Sequence, residues 1–240
     1  MKRFKEVAKG IPGVRSVYHK CTGLALRLKS TEQVFTDVYV GNKFRGRESI
    51  SGPGSAINQT SVIVAELPKI FDDFGIHTIL DIPCGDFHWM KHVRLESINY
   101  TGADIVAGLV QKNKQSYEKE NIQFCKLDLI RDRLPKVDLI LCRDCLVHLS
   151  FKDTFGALQN VCASESTYLL ATTFTGRQRN HDIATGQWHS LNLEIAPFSF
   201  PPPLNTINEN NTEGGEAYKD KSLGLWRVAD IKEVLTKRPD

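Results

Sequence analysis

The chain lacks any apolar run of the length that a membrane-spanning helix needs, although 41% of its 240 residues are hydrophobic. Such a helix takes about 20 consecutive apolar residues, so the sequence predicts no transmembrane segment. The basic start, residues 1–5, also lacks the apolar stretch of a secretion signal, because Glu6, Lys9 and Gly10 follow it. We therefore expect a cytoplasmic protein.

Cysteine is sparse, and its spacing excludes a small disulfide-stapled scaffold. The six cysteines are scattered through segments that have the patterns of strands and helices, which predicts reduced thiols. Cys142 and Cys145 form a CxxC pair, but a structural zinc site needs a second pair or histidines at matching spacing. We interpret the pair as buried thiols at the end of a strand.

The sequence also lacks a basic stripe interleaved with aromatic residues, which argues against a nucleic-acid partner. The net charge is +3, yet residues 1–30 hold eight Lys or Arg and the single acid Glu6, which leaves about −4 for the rest. We expect this basic arm to be solvated. Peripheral contact with anionic lipid head groups or with a phosphorylated carrier is the alternative.

No internal repeat is present, and what the chain does contain is an alternation of short apolar runs with helical patterns. A mostly parallel, doubly wound α/β sheet with helices on both faces is typical of this alternation. The predicted strands are 78–82, 100–105, 122–127, 137–142, 167–174 and, late in the chain, 223–228. The predicted helices are 57–73, 106–119, 151–163 and a short one from Ala229.

Three regions follow from this pattern. Residues 1–56 form a basic N-terminal extension, in which Ser51 and Gly52 belong to a flexible loop that is suited to cover a cofactor or to make an ordinary turn. Residues 57–240 form the main α/β domain. Within it, residues 175–222 lack a regular pattern, and we interpret them as a substrate-binding insertion after the fifth strand.

Acidic residues follow three consecutive predicted strands. In a doubly wound sheet, ligands bind beyond the carboxyl ends of the strands. Asp81 and Gly85 lie at the end of the first strand, Asp104 follows 19 residues after Gly85, and Asp128 ends the third strand. Asp104 suits a ribose diol, and Asp128 suits an adenine amino group. These positions predict a site for an adenosine-containing cofactor.

The segment 81–87, together with Asp104 and Asp128, resembles the class I methyltransferase family over roughly residues 57–174. Pro83 and Phe87 depart from the family's usual first and last glycines. The resemblance implies S-adenosylmethionine as the methyl donor and a methyltransferase fold. We assign Asp81, Pro83, Cys84, Gly85, Asp104, Ile105, Asp128, Leu129 and Arg143 to the donor site on this resemblance, and we add Ser51 and Gly52 of the flexible loop.

A nicotinamide-dependent oxidoreductase is the rival from another reaction class, because it uses the same fold and the same ribose-binding acid. It normally has the fuller G-x-G-x-x-G loop, which accommodates a pyrophosphate. S-adenosylmethionine has no phosphate, so the two missing glycines count more against the dehydrogenase. A cofactor-binding but inactive module is the rival that is not an enzyme.

The end of the fourth strand is rich in ionisable side chains, and the family places groups next to the transferred methyl at this point. His148 is the candidate general base, because neutral histidine can take a proton from a hydroxyl near pH 7. A histidine that only binds backbone is the alternative. Asp144, also assigned to the catalytic group, would orient His148, pair with Arg143 or contribute to a metal site.

The predicted insertion carries amide, carboxylate and indole groups that suit a polyhydroxylated ring. We assign Asn180, Asp182, Trp188 and Asn192 to the acceptor and expect O-methylation of a small polar molecule, with a sugar or glycan as the leading class. Another small metabolite, methylated on N or O, is the alternative. A divalent metal held by Asp144 with residues 180–182 is compatible with the sequence, but the spacing does not require it.

Overall fold

The computed structural model describes residues 22–237, whose regular structure is built around one sheet of seven strands. The strands are β1 (Thr78–Asp81), β2 (Asn99–Asp104), β3 (Ile122–Lys126), β4 (Leu139–Cys142), β5 (Tyr168–Phe174), β6 (Asn205–Asn208) and β7 (Lys221–Arg227). Their order across the sheet is β3-β2-β1-β4-β5-β7-β6. β7 is antiparallel to both of its neighbours, and the other pairings are parallel. The prediction of a mostly parallel, doubly wound sheet is confirmed.

The register brings the ends of the central strands together. Asp81, the last residue of β1, pairs with Gly102 of β2 on one side and with Leu141 of β4 on the other. Since these strands are parallel, the loops that follow them leave the sheet at the same edge. Asp104 and Arg143, which end or follow β2 and β4, therefore lie close to Asp81 in space.

Helices cover both faces of the sheet. They are α1 (Thr31–Val40), α2 (Ile57–Asp73), α3 (Ala107–Tyr117), α4 (Phe151–Ala163) and α5 (Val228–Thr236). Successive residues of a strand point to opposite faces, and Ile79 accordingly joins the apolar core that contains Ile63 of α2, whereas Leu80 joins the core that contains Leu158 of α4. α2 continues through Pro68 without ending.

The glycine loop after the first strand predicts a helix that begins near Phe87, and this prediction is wrong, because the chain does not form a helix directly after β1. Gly85 and Phe87 have φ values of 56° and 57°, which an α-helix cannot contain. A single 3₁₀ turn, Met90–His92, follows instead. Phe87 has the left-handed backbone that glycine adopts most easily, and its buried ring packs against Tyr100 and Phe124.

The predicted insertion is less uniform than expected. β6 lies within residues 175–222, and β7 begins at Lys221, two residues before the predicted strand. β6 has no recognisable sequence pattern, because it is a short strand at the edge of the sheet and only Ile207 in it is buried. The preceding irregular segment, 175–204, is anchored by Leu191 and Phe198, which are buried in the core on the α4 side of the sheet.

Most of the basic arm, residues 1–21, lies outside the described residues. The five cysteines within the described range form no disulfide with one another. Across 22–237, no helix has the length and apolar character to cross a membrane. The same residues contain no group of three or more His, Cys, Asp or Glu side chains that could hold a metal ion.

Candidate active site

A cavity of about 580 Å³ lies over the carboxyl ends of β1, β2 and β4. All eleven residues that the sequence assigned to the donor line this cavity, as do His148, Asp144 and Trp188. These residues come from separate parts of the chain, and the parallel register brings together those that end or follow strands. Segments from α1 and the following loop form a further wall, with Phe35 and Phe44 among the lining residues.

Two buried carboxyl groups form the floor of the cavity. Asp81 accepts a hydrogen bond from the Tyr100 hydroxyl at 2.6 Å, and burial raises the pKa of Asp81 to about 7. Asp104 accepts a hydrogen bond from the backbone N–H of Val106 at 2.9 Å, and burial raises its pKa to about 6. A ligand that donates hydrogen bonds to these groups would stabilise their charged forms. Sequence reasoning did not identify Tyr100, which lies among the apolar residues of β2.

The loop after β1 is held in a close approach to the cavity. Asn113 of α3 donates a hydrogen bond to the Gly85 carbonyl at 2.7 Å, and a Cβ at Gly85 would overlap Ser51 Oγ. Across the site, Asp128 accepts the Ile130 N–H at 2.8 Å and turns the chain after β3. The positive φ and the contact with residue 51 therefore both favour glycine at position 85.

A network of four charged side chains lies beside this floor, and three of them, Arg143, Glu209 and Lys221, are buried. The Arg143 guanidinium donates to both carboxylate oxygens of Glu209, at 3.1 and 2.8 Å, and to the Gly54 carbonyl at 2.8 Å. Lys221 donates to Asp144 at 2.7 Å and lies 3.2 Å from Glu209. The sequence did not identify Glu209 or Lys221. Glu209 lies in the Asn-rich residues 205–211, and Lys221 begins a strand.

Asp144 pairs with cations and makes no hydrogen bond to His148. Its carboxylate lies 2.7 Å from Lys221 Nζ and 3.4 Å from Arg143 Nη1. Burial opposes the charge of Asp144, but Lys221 and Arg143 hold its pKa at about 2. Of the three roles that the sequence left open for Asp144, pairing with Arg143 is the one observed. A carboxylate that already contacts two cations is poorly suited to bind a metal ion.

His148 is half-buried at the wall of the cavity. Its Nδ1 lies 2.9 Å from the Gln187 carbonyl, which can only accept, so Nδ1 carries the hydrogen of the neutral ring. The lone pair of neutral His148 is then on Nε2. The Phe44 ring packs against the imidazole with 4.9 Å between ring centroids, and burial lowers the pKa of His148. The residue thus binds backbone, as the alternative proposed, and also lines the cavity.

Of the four residues assigned to the acceptor, the structure brings only Trp188 to the cavity. Trp188 is 43% exposed, and its ring packs edge-on against Tyr218 at 5.0 Å. The polar groups of the other three hold the insertion together. Asn180 donates to the carbonyls of Asn192 and Ala196, Asn192 donates to those of Thr175 and Arg177, and Asp182 accepts the Phe151 N–H at the start of α4.

No protein-family profile matches the sequence, and no curated protein matches it. Solved structures do resemble it. Human N-acetylserotonin methyltransferase in complex with S-adenosylmethionine is 15% identical, with a TM-score of 0.58 over 91% of this chain and 68% of that one. The Burkholderia thailandensis 1,6-didemethyltoxoflavin-N1-methyltransferase, solved with 1,6-didemethyltoxoflavin and S-adenosylhomocysteine, is 14% identical, with a TM-score of 0.58 over 81% of this chain and 87% of that one.

The N-methyltransferase NodS from Bradyrhizobium japonicum is 12% identical, with a TM-score of 0.53 over 72% of this chain and 98% of that one. The chain spans 57%, 50% and 55% of the length of three other solved chains. At these identities the likeness concerns the fold. The chain has the fold of the class I methyltransferases. This follows from its likeness to these structures, and the strand order with its antiparallel β7 is in accord with it.

Proposed function

We propose that the protein is an S-adenosylmethionine-dependent methyltransferase that acts on a hydroxyl group of a small polar acceptor. The observation that carries this proposal is the buried, acid-lined floor at the carboxyl ends of β1 and β2, where Asp81 and Asp104 face one cavity. Its volume of about 580 Å³ lies within the range of about 300 to 1,000 Å³ that small-molecule sites occupy.

The charge of the cavity suits this donor. S-adenosylmethionine carries a sulfonium and an ammonium group against a single carboxylate, so it is a net cation. Six acidic residues line the cavity (Asp81, Asp86, Asp104, Asp128, Asp144 and Glu213), against the three cations Lys43, Arg143 and Lys221. Two of those cations, Arg143 and Lys221, are already paired with carboxylates. The excess negative charge of the residues that line the cavity favours a cationic ligand.

The same features argue against a nicotinamide dinucleotide. A pyrophosphate in this fold normally binds at the N-terminus of the helix after β1, where backbone N–H groups face the anion. In this chain β1 is followed by a loop and a single 3₁₀ turn, Met90–His92. An acid-lined cavity without that helix would repel two phosphates.

Bound S-adenosylmethionine would supply the methyl group, and Asp104 would accept hydrogen bonds from its ribose. His148 would take the proton of the acceptor hydroxyl at Nε2, the nitrogen that carries the lone pair of the neutral ring. We place the acceptor between His148 and Trp188, which line the same cavity. A sugar or glycan is the acceptor class that we propose, and its support is the partly exposed face of Trp188 together with the carboxylate of Glu213.

We also propose that the part of the chain before residue 57 covers the donor site. Thr31, Phe35 and Tyr39 of α1 line the cavity, as do residues 50–55. The domain division that follows is an N-terminal extension up to residue 56 and a methyltransferase domain from residue 57. Within that domain, residues 175–222 would contact the acceptor through Trp188.

The test of the donor assignment is Asp104→Ala. Each charge-assisted hydrogen bond that a ribose loses costs about 1.5 to 3 kcal/mol, so we expect the affinity for S-adenosylmethionine to fall at least about tenfold. Calorimetry on the purified proteins measures it, and thermal unfolding checks the fold. Asp72→Ala removes an exposed acid that pairs with Arg94 away from the cavity and is the matched control. Unchanged affinity in a folded Asp104→Ala protein would refute the assignment.

Donor binding does not separate an enzyme from an inactive module, because both would bind equally. Turnover separates them. Acceptor libraries are incubated with isotope-labelled donor and analysed by mass spectrometry. We expect the label on a hydroxyl-bearing small molecule, and transfer to sugars in particular supports the proposed acceptor class.

A further inference from the structure

The segment between α1 and α2 makes hydrogen bonds to the loop after β1. We call residues 44–52 the strap. The carboxylate of Asp86 accepts hydrogen bonds from Ser49 Oγ at 2.8 Å, from the Ile50 N–H at 3.0 Å and from Ser51 Oγ at 3.4 Å. In return, the Asp86 N–H donates to Ser51 Oγ at 3.3 Å. One side chain thus holds three consecutive residues of the strap.

The hydrogen bonds of Asp86 are located at the donor side of the cavity. Asp86 directly follows Gly85, and Ile50, Ser51 and Gly52 line the cavity together with Gly85 and Asp86. The absence of a Cβ at Gly85 gives Ser51 Oγ its room, since an added Cβ would overlap it. The strap therefore lies directly on the loop that the proposed function assigns to the donor.

The other end of the strap reaches the proposed base. The Phe44 ring packs on the His148 imidazole with 4.9 Å between centroids and 34° between planes. Gly52 turns the strap with a φ of 110°, and a Cβ there would lie 3.2 Å from Phe44 Cβ. Phe44 and residues 49–52 are thus packed together, so that a displacement of one end would disturb the other.

We propose that Asp86 and Phe44 are positioning residues, and that the strap, locked by Asp86, completes the donor site and fixes the His148 ring at the same time. This inference rests on the proposed function and deepens it. Asp86 acts through the strap, and Phe44 acts through His148. Neither residue takes part in a bond-making step.

The first test measures S-adenosylhomocysteine affinity of Asp86→Ala by calorimetry. If the strap is closed only a tenth of the time without Asp86, the apparent Kd rises roughly tenfold. Asp86→Asn keeps one carbonyl oxygen and should show a smaller rise. Asp138→Ala is the matched control, because the Asp138 carboxylate also accepts three hydrogen bonds, from residues 77 and 78, but does not line the cavity.

The second test measures how readily the strap is released from the loop after β1. Lys43, Arg45 and Arg47 are exposed, so trypsin cleavage after them, followed by mass spectrometry, measures release of the strap. S-adenosylhomocysteine should slow this cleavage in the parent and in Asp138→Ala, but much less in Asp86→Ala. Should Asp86→Ala fail to fold, Ser49→Ala removes one of the same hydrogen bonds and must change cleavage in the same direction.

The third test concerns His148 and needs no acceptor. NMR titration of the ring follows its ionisation in the S-adenosylhomocysteine complex, with His148→Ala to assign the signal. Asp144, Lys221 and His189 also act on this ring. Phe44→Ala opens the ring to water, so its pKa should rise towards the ordinary value, and Phe44→Leu should restore much of the difference.

The outcomes separate the two proposals. A parent protein that does not bind S-adenosylhomocysteine refutes the proposed function. A parent that binds it, beside a folded Asp86→Ala protein with the same affinity and the same tryptic cleavage, overturns the role of Asp86. An unchanged His148 titration in Phe44→Ala overturns the coupling to the base.

Discussion

His148 receives its chemical properties from two contacts, one at Nδ1 and one with the ring of Phe44. The Gln187 carbonyl at Nδ1 fixes the tautomer, and Phe44 shields the ring from water. Because burial disfavours the charged imidazolium, the pKa of His148 lies below its ordinary value of 6.5. The neutral form that can accept a proton therefore dominates at pH 7.

We expect His148→Ala to lower the turnover number about a hundredfold to ten-thousandfold, the range that proton transfer by a positioned side chain contributes. Affinity for S-adenosylmethionine should stay near that of the parent. Steady-state kinetics with an identified acceptor measure the first quantity and calorimetry the second. His92→Ala, at an exposed position that does not line the cavity, is the control.

The pH profile gives an independent check of the same role. Activity of the parent should rise with pH through an ionisation below 6.5, since only the neutral ring accepts a proton. Full turnover in a folded His148→Ala protein would remove histidine from the mechanism. Asp144 is a poor substitute as base, because Lys221 and Arg143 hold its pKa at about 2 against the effect of burial.

At the scale of elements, the long connection between β5 and β6 divides into a structural part and a part that reaches the cavity. The side-chain amides of Asn180 and Asn192 donate hydrogen bonds to backbone carbonyls, and apolar residues such as Phe198 anchor the segment in the core. Gly186, Gln187 and Trp188 line the cavity. The connection thus places a few residues at the acceptor side on a fixed support.

Trp188→Ala should raise the Michaelis constant for the acceptor about tenfold and spare donor affinity, because the indole lies beside Tyr218 and Phe174 at the proposed acceptor side. Loss of an aromatic contact of about 1 kcal/mol together with buried area accounts for that size. Leu204→Ala, a partly exposed residue that does not line the cavity, is the control. Weaker donor binding with an unchanged acceptor constant would instead make Trp188 part of the donor site.

For the molecule as a whole, the floor of the site lowers stability at neutral pH. Burial raises the pKa of Asp81 from 3.8 to about 7, so the folded state favours the neutral carboxyl. The neutral Asp81 carboxyl therefore stabilises the folded state fully below about pH 3.8, and this stabilisation is lost as the pH rises through about 7. Asp144, with a pKa of about 2, contributes no slope in this range.

Replacing Asp81 with Asn should remove that loss. At about 1.4 kcal/mol per pKa unit, the parent should lose about 2 to 3 kcal/mol relative to Asp81→Asn between pH 5 and pH 8. Urea unfolding of the two proteins without donor, at both pH values, measures the difference. A difference that does not change with pH would show that Asp81 is not ionising in this range. We expect the same variant to bind S-adenosylmethionine more weakly, because the cavity loses a negative charge.

The sequence by itself determined the features that depend on neighbours along the chain. Burial at strand or helix spacing is a local pattern, so six of the seven strands and most of the helices could be located from it. Asp81, Asp104 and Asp128 end or follow parallel strands, and the topology of such a sheet brings those ends to one edge. For the same reason, the nine donor residues that end or follow these strands line one cavity.

Only the tertiary structure decided which distant groups meet. Lys221 pairs with Asp144 across 77 positions, Arg143 with Glu209 across 66, and Ser49 with Asp86 across 37. No periodicity relates such partners, since loops and an edge strand bring them together. The residue type of Asn180 did not show whether its side chain binds a ligand or a backbone carbonyl, because an amide can bind either. The packing of the surrounding loop directs it to the carbonyls.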